Sequence, residues 1–140
     1  MKLVVDTNII IAALLKQSTT RRLIANPKLE LFAPDFLLDE ITSHKRELLS
    51  KSGLDGETFD AFLAGIGKIV TVLPEGFYRE ELPAALRAVP DAKDAPFLAL
   101  ALALGGKNGT VGIWSEDCHF QKQTLATHHR TSQLLKLIGR

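Results

Sequence analysis

Apolar residues fall along this chain in short runs separated by polar or turn-forming residues. Leu3-Val4-Val5 is the first run, and it stops abruptly at Asp6. A short apolar run of this kind reads as a buried strand. Ile9 to Leu15 and Thr20 to Ala25 read as two short helical pieces, broken near Gln17-Ser18-Thr19. Asn26-Pro27 marks a turn, and Leu29 to Ala33 is a second strand. Pro34-Asp35 opens a helix, with proline at an early position. That helix extends to about Lys51, with Leu37, Ile41, His44 and Leu48 on one face. Gly53 is its stop. Asp55-Gly56 is a turn, Thr58 to Ile66 a helix, and Lys68 to Leu73 a β-rich third strand ending at Pro74. Glu80 to Ala88 is helical up to the interruption at Pro90.

Ala95 to Leu104 is apolar on every side. Its periodicity fits a strand or a helix, but four alanines and no β-branched residue favour helix. A helix apolar all round lies in the middle of a domain. Gly105-Gly106 and Asn108-Gly109 form a loop. Thr110 to Trp114 is a fourth strand, a short strand falls around Leu125 to Thr127, and Ser132 to Ile138 is a final helix. Strands alternating with helices indicate an α/β protein with a parallel sheet covered on both faces.

At 140 residues the chain is one domain's worth, residues 1–140. A domain of this size buries about two-thirds of its unfolded surface. The net charge of +1 gives no global sign of nucleic-acid binding and leaves room for a local basic patch. The single cysteine, Cys118, excludes an intrachain disulfide and a zinc site built on several thiolates. No signal peptide is visible. The longest apolar run, Phe97 to Leu104, is eight residues, where a membrane span needs about 20. These features read as a soluble, cytoplasmic protein with no membrane partner.

The acids recur in one kind of place. Asp6 and Asp117 each follow an apolar strand, Glu40 lies early in the helix after strand two, and Asp94, with Asp91 behind it, starts the buried helix. In a parallel sheet with right-handed crossovers, strand carboxyl ends and the amino ends of following helices share one edge. Carboxylates brought together there need protons or cations, because two unit charges about 4 Å apart repel by roughly 4 kcal/mol at an effective dielectric of about 20. All-oxygen ligation suits Mg²⁺ or Mn²⁺, and such an ion supports phosphodiester hydrolysis. Each acid also has an ordinary role open to it. Asp6 or Asn8 caps the next helix, Asp94 stabilises a first turn by about 0.3–1 kcal/mol, Asp91 belongs to a turn, Glu40 pairs with His44 at i+4, and Asp117 caps the short segment after it.

Four motifs in order resemble those of PIN-domain nucleases: Val4-Val5-Asp6-Thr7-Asn8, Glu40 after strand two, Asp94-Ala95-Pro96-Phe97-Leu98-Ala99-Leu100-Ala101, and Ile113-Trp114-Ser115-Glu116-Asp117. The resemblance covers essentially the whole chain. It implies a three-layer α/β/α, PIN-like fold with a central parallel sheet of four to five strands. It implies a Mg²⁺- or Mn²⁺-dependent ribonuclease, often the toxin of a toxin–antitoxin pair. It carries the catalytic acids onto Asp6, Glu40, Asp94 and Asp117, with Asp6, Asp94, Asp117 and Asp91 at the metal and Asn8 and Ser115 as polar supports. Ser115 stands where the family more often has threonine, and the loop through Gly105 to Gly109 is longer than in the compact toxins.

An RNA substrate requires cations. Arg21-Arg22 are expected at the mouth of the cleft, and Lys45-Arg46, Lys51, Lys122 and Arg130 are further choices. Aromatics are only 6% of the chain, which argues against extensive base stacking. His128-His129 reads as plain surface, with no third ligand at suitable spacing. Three functions compete: a metal-dependent endoribonuclease, a PIN-like binding module acting through an antitoxin or a homodimer, and a phosphatase forming an aspartyl-phosphate on Asp6. The third wants a second Asp two residues on, where this chain has Asn8. The apolar helices Ile9 to Leu15 and Thr58 to Ile66 offer a homodimer surface or an antitoxin groove.

Overall fold

Five parallel strands run in the order β3-β2-β1-β4-β5, with helices flanking the sheet as three α/β/α layers. The computed structural model describes residues 1–15, 18–105 and 108–138. The expected break near Gln17 and the turn at Gly105-Gly106 fall partly outside these residues.

The strands are β1 (Lys2–Val5), β2 (Glu30–Pro34), β3 (Val70–Leu73), β4 (Val111–Trp114) and β5 (His128–His129). The three central strands, β2, β1 and β4, are buried along nearly their whole length. That is why they read as continuous apolar runs rather than alternating ones. The helices are α1 (Thr7–Leu14), α2 (Ser18–Ile24), α3 (Phe36–Ser43), α4 (Lys45–Ser52), α5 (Gly56–Ile69), α6 (Glu75–Tyr78), α7 (Leu82–Ala88), α8 (Ala95–Ala103) and α9 (Thr131–Ile138). The all-apolar α8 packs against β1, β2 and β4 on one side and α6 and α7 on the other. Phe97, Leu98 and Leu100 are at most 1% exposed, as expected for a helix without a polar face.

Local chemistry moved several boundaries. The single helix expected from Pro34 to Lys51 is two, because the chain turns at His44 (φ −105°, ψ 9°). Ser43 Oγ donates to the Glu40 carbonyl at 2.9 Å, the kind of side-chain bond that competes with helix continuation. His44 therefore leaves the buried face that Leu37, Ile41 and Leu48 keep. Asp55 accepts from the Thr58 amide at 2.7 Å and starts α5 earlier than expected, and α5 runs on to Ile69, so β3 begins at Val70.

The fifth strand lies at His128–His129 instead of Leu125 to Thr127. Gln123 holds the earlier stretch in a tight turn. Its amide nitrogen donates to the Phe120 and Ala126 carbonyls, and its oxygen accepts from the Leu125 and Ala126 amides, at 2.7–2.9 Å. The ladder with β4 forms only beyond it, pairing Ile113 with His128 and Trp114 with His129. Gly112 permits this pairing: a Cβ there would lie 2.7 Å from His129 Cδ2. No helix among the described residues is long and apolar enough to cross a membrane.

Candidate active site

The chain runs outward from β1 through β2 to β3, then returns to place β4 on the other side of β1. Open α/β sheets bind ligands at such a reversal, in the crevice beyond the strand carboxyl ends. Val5 pairs with Trp114, and the Asp6 amide donates to the Trp114 carbonyl at 3.0 Å. The residues following β1 and β4 therefore emerge side by side.

From there a continuous hydrogen-bonded chain links the acids. The fully buried Ser115 hydroxyl donates to Asp6 Oδ2 at 2.7 Å and accepts from the Asp117 amide at 2.9 Å. Asp117 Oδ1 accepts from the His119 amide at 2.9 Å. His119 Nδ1 lies 2.9 Å from Asp94 Oδ2 and 3.4 Å from Asp117 Oδ1. Next to Asp6, the Thr7 hydroxyl donates to Glu40 Oε1 at 2.6 Å, joining α1 to α3.

The ordinary roles divide cleanly. Asp6 and Asp94 stand at helix N-caps, yet neither side chain bonds a helix amide. Asp91 and Asp117 do cap, accepting from the amides of Lys93 and His119. Glu40 turns to Thr7 rather than forming an ion pair with His44.

Burial dominates the electrostatics. Asp6 is 5% exposed. Its carboxyl pKa is raised to about 6, first by desolvation and further by the charges of Asp94, Asp117 and Glu40, against the Ser115 bond that lowers it. Glu40 is raised by desolvation and by Asp94, against its Thr7 bond and the charge of Lys93. Asp94 is raised by desolvation and by Asp117, against its bond to His119. His119 is raised in turn, chiefly by Asp94. Asp6 feels the charges of Glu40, Asp94 and Asp117, so the fold brings these four acids, distant in sequence, to one region beyond the strand ends, the candidate cleft. Asp91 joins its edge, since one oxygen each of Asp91 and Asp94 and a His119 nitrogen lie within 4.8 Å of one another. A donor set of carboxylate oxygens with one imidazole beside them fits a divalent cation, and a bound ion would offset both the burial and the repulsion that raise these pKa values.

Other expected site residues sit elsewhere. Asn8 is exposed and lines a separate groove with Glu116 and Thr131. Its side chain makes no hydrogen bond among the described residues, and Ser115 alone of the two expected supports bonds Asp6. Arg21 donates to the carbonyls of Ala13 and Leu14 and lies 5.3 Å from the Phe62 ring centre. Those carbonyls close the far end of α1, about 12 Å from Asp6 for a helix of this length. Arg21 thus ties helices together, away from the cleft mouth. Arg22, on the same short helix, is exposed beside Asn26 and Leu135. His128 Nε2 lies 2.6 Å from the Ser115 carbonyl, so it braces the strand end that carries the site.

Sequence reasoning passed over two residues that the cleft does contain. Lys93, between Asp91 and Asp94, acts on Glu40. His119 bridges Asp94 and Asp117. The signal was proximity: each lies within two residues of an expected acid.

Comparison with known proteins bears on the fold and the family. One solved structure of similar fold is a chain of VapBC2 from Rickettsia felis, crystallised with a DNA fragment from its promoter. It superposes with a TM-score of 0.66 at 15% identity, over 93% of this chain and 98% of that one. No curated protein matches the chain. The PIN domain family model matches residues 4–137, a span that begins within β1 and includes Asp6, Glu40, Asp91, Asp94 and Asp117, and the chain belongs to the PIN-domain family.

Proposed function

We propose that this protein is a Mg²⁺- or Mn²⁺-dependent endoribonuclease, with Asp6, Asp94 and Asp117 holding the ion, Asp91 at its edge, and Glu40 completing the catalytic set. The observation that carries the reading is the hydrogen-bonded chain from Asp6 through Ser115, Asp117 and His119 to Asp94. It fixes acids from three separate elements before any ligand arrives, and preorganised ligands and charges are what a hydrolytic site needs.

A bound ion supplies Lewis-acid polarisation of the phosphate and an acidified water. The remaining work falls to the chain. Glu40 is half-buried with a raised carboxyl pKa, which suits it to take a proton from the attacking water. The water oxygen bonds to phosphorus, the bond from phosphorus to the ribose oxygen breaks, and a proton returns to that oxygen. Lys93, exposed at the cleft, is placed to hold a flanking phosphate. Backbone recognition of this kind tolerates many RNA sequences.

The toxin role follows from the motif resemblance and is supported by the fold shared with the VapBC2 chain. An antitoxin segment is then the expected protein partner. The apolar groove between α1, α2 and α5, lined by Ala13, Ile24, Phe62 and Ile66, is the surface suited to an antitoxin helix or a second copy.

The deciding experiment is an RNA cleavage assay with the ion varied, comparing wild type with Asp94→Asn. Cleavage that needs Mg²⁺ or Mn²⁺, stops with chelator and falls about 100-fold or more in the variant is expected, since changes even around a ligand cost about 10–100-fold. Equal cleavage by both proteins, or cleavage indifferent to chelator, overturns the mechanism.

A further inference from the structure

Building on the metal reading of the cleft, we propose that His119 is itself a ligand of the ion, through its imidazole nitrogen, so that the site binds Mn²⁺ in preference to Mg²⁺. The four acids alone form a hard, all-oxygen site. His119 adds a nitrogen that none of the four motifs contains.

The distances match shared coordination. Neighbouring ligands on an octahedral ion with bonds of about 2.1–2.2 Å lie about 3 Å apart. His119 Nδ1 lies 2.9 Å from Asp94 Oδ2 and 3.4 Å from Asp117 Oδ1, so the imidazole nitrogen stands at ligand spacing from either carboxylate. Asp91 joins the same group, since one of its oxygens, one of Asp94 and a His119 nitrogen all lie within 4.8 Å of one another.

The ring is also held in place. The His119 amide donates to Asp117 Oδ1, and the turn Cys118–Gln121 is anchored by Phe120, which is fully buried. The imidazole is 36% exposed, which leaves room for an ion and its waters. His128 is poorly placed for the same role, because its Nε2 faces a backbone carbonyl, that of Ser115 at 2.6 Å, and not a carboxylate of the cluster. Imidazole nitrogen favours first-row transition ions, whereas Mg²⁺ keeps to oxygen and dehydrates reluctantly. An ion held by His119 with the acids is therefore biased toward Mn²⁺ whenever both are present.

The test uses the full chain, stripped with chelator and reloaded with Mn²⁺ alone. Pulsed electron paramagnetic resonance reads nitrogen coupled to the bound ion directly. Wild type is expected to show this coupling and His119→Gln to lack it. In titrations followed by melting temperature, His119→Gln is expected to weaken Mn²⁺ binding about tenfold or more and to affect Mg²⁺ much less, closing the gap between the two ions. Mn²⁺ bound to wild type without nitrogen coupling overturns the role of His119 and leaves the carboxylate site standing. Coupling that survives in His119→Gln does the same, since the nitrogen then belongs to another residue. If wild type binds no Mn²⁺, or binds it equally well as Asp94→Asn, the cleft reading fails together with this one.

Discussion

Asp6 and Asp35 occupy equivalent places in this fold and do different work. Each follows the last residue of a parallel strand, β1 or β2, and each stands at the N-cap of the next helix without capping it. The difference lies in what the neighbouring strand delivers. After β3 come Glu75 and Tyr78. The Tyr78 hydroxyl donates to Asp35 Oδ1 at 2.8 Å, and the Glu75 amide donates to Oδ2 at 3.3 Å. Both oxygens are met by neutral donors, and the carboxylate stitches β2 to the segment after β3. After β4 come Ser115 and Asp117, which give Asp6 one hydroxyl and another negative charge. A strand-end aspartate becomes a joint where its neighbours donate and a ligand site where they are acids too.

The largest expected effect breaks the pair apart by activity. Asp6→Asn should lower metal-dependent RNA cleavage about 100-fold or more. Asp35→Asn should leave kcat/KM within about threefold, since local stability and not transition-state charge is changed. Steady-state cleavage of one RNA by both variants at saturating Mn²⁺ checks this. Comparable losses in the two would mean that Asp35 reaches the site.

The next effect is thermodynamic and has a definite sign. The Asp6 carboxyl is raised from 3.8 to about 6 in the folded protein, so the folded state binds the proton more tightly than the unfolded state. Its contribution to stability is therefore fully present below pH 4 and is lost as pH rises through 6. A shift of this size corresponds to about 3 kcal/mol. Denaturant melts in chelator at pH 4.5 and 7.5 should show wild type losing stability across this window beyond what Asp6→Asn loses. Asp6→Asn should be the more stable protein at pH 7.5 without metal, while Mn²⁺ restores wild type and stabilises the variant less. A flat difference between the two across pH would show that Asp6 carries no such strain.

This contrast also marks how far the sequence alone reached. The strand β1, the buried helix α8 and the acids Asp6, Glu40, Asp94 and Asp117 were legible because apolar runs and their polar stops are local patterns, and the parallel topology then sends them to one edge. The position of Arg21 was not legible. Its partners are the backbone carbonyls of Ala13 and Leu14 and the Phe62 ring, contacts fixed by how α2 and α5 pack on α1. β5 was misplaced because the four hydrogen bonds of Gln123 override an apolar stretch with strand propensity. His119 escaped for a related reason: a histidine two residues past an acid means nothing until the turn at Cys118–Gln121 swings it back over Asp94.

A third, smaller effect concerns stability at Asp35. In Asp35→Asn the new oxygen still accepts the Tyr78 hydroxyl, but the amide nitrogen then faces the Glu75 N–H, donor against donor. The expected cost is about 1–2 kcal/mol, read by chemical denaturation with activity as the control. A neutral result would mean that the Glu75 bond adds nothing to the joint.

The smallest effect sharpens the comparison most. Tyr78 is 3% exposed, and its hydroxyl pKa is raised by burial and by the bond to Asp35, so it remains a donor throughout the working range of pH. Tyr78→Phe removes that donor without opening a cavity, and Asp35 keeps the Glu75 amide and its solvent-facing side. The expected loss is about 1 kcal/mol, or a few degrees in melting temperature, with no change across pH 5–8. The rise in melting temperature on adding Mn²⁺ should equal that of wild type, because ion binding is linked to Asp6 and not to Asp35. A smaller Mn²⁺ rise in Tyr78→Phe would couple the two aspartates through α3, which follows Asp35 directly and carries Glu40.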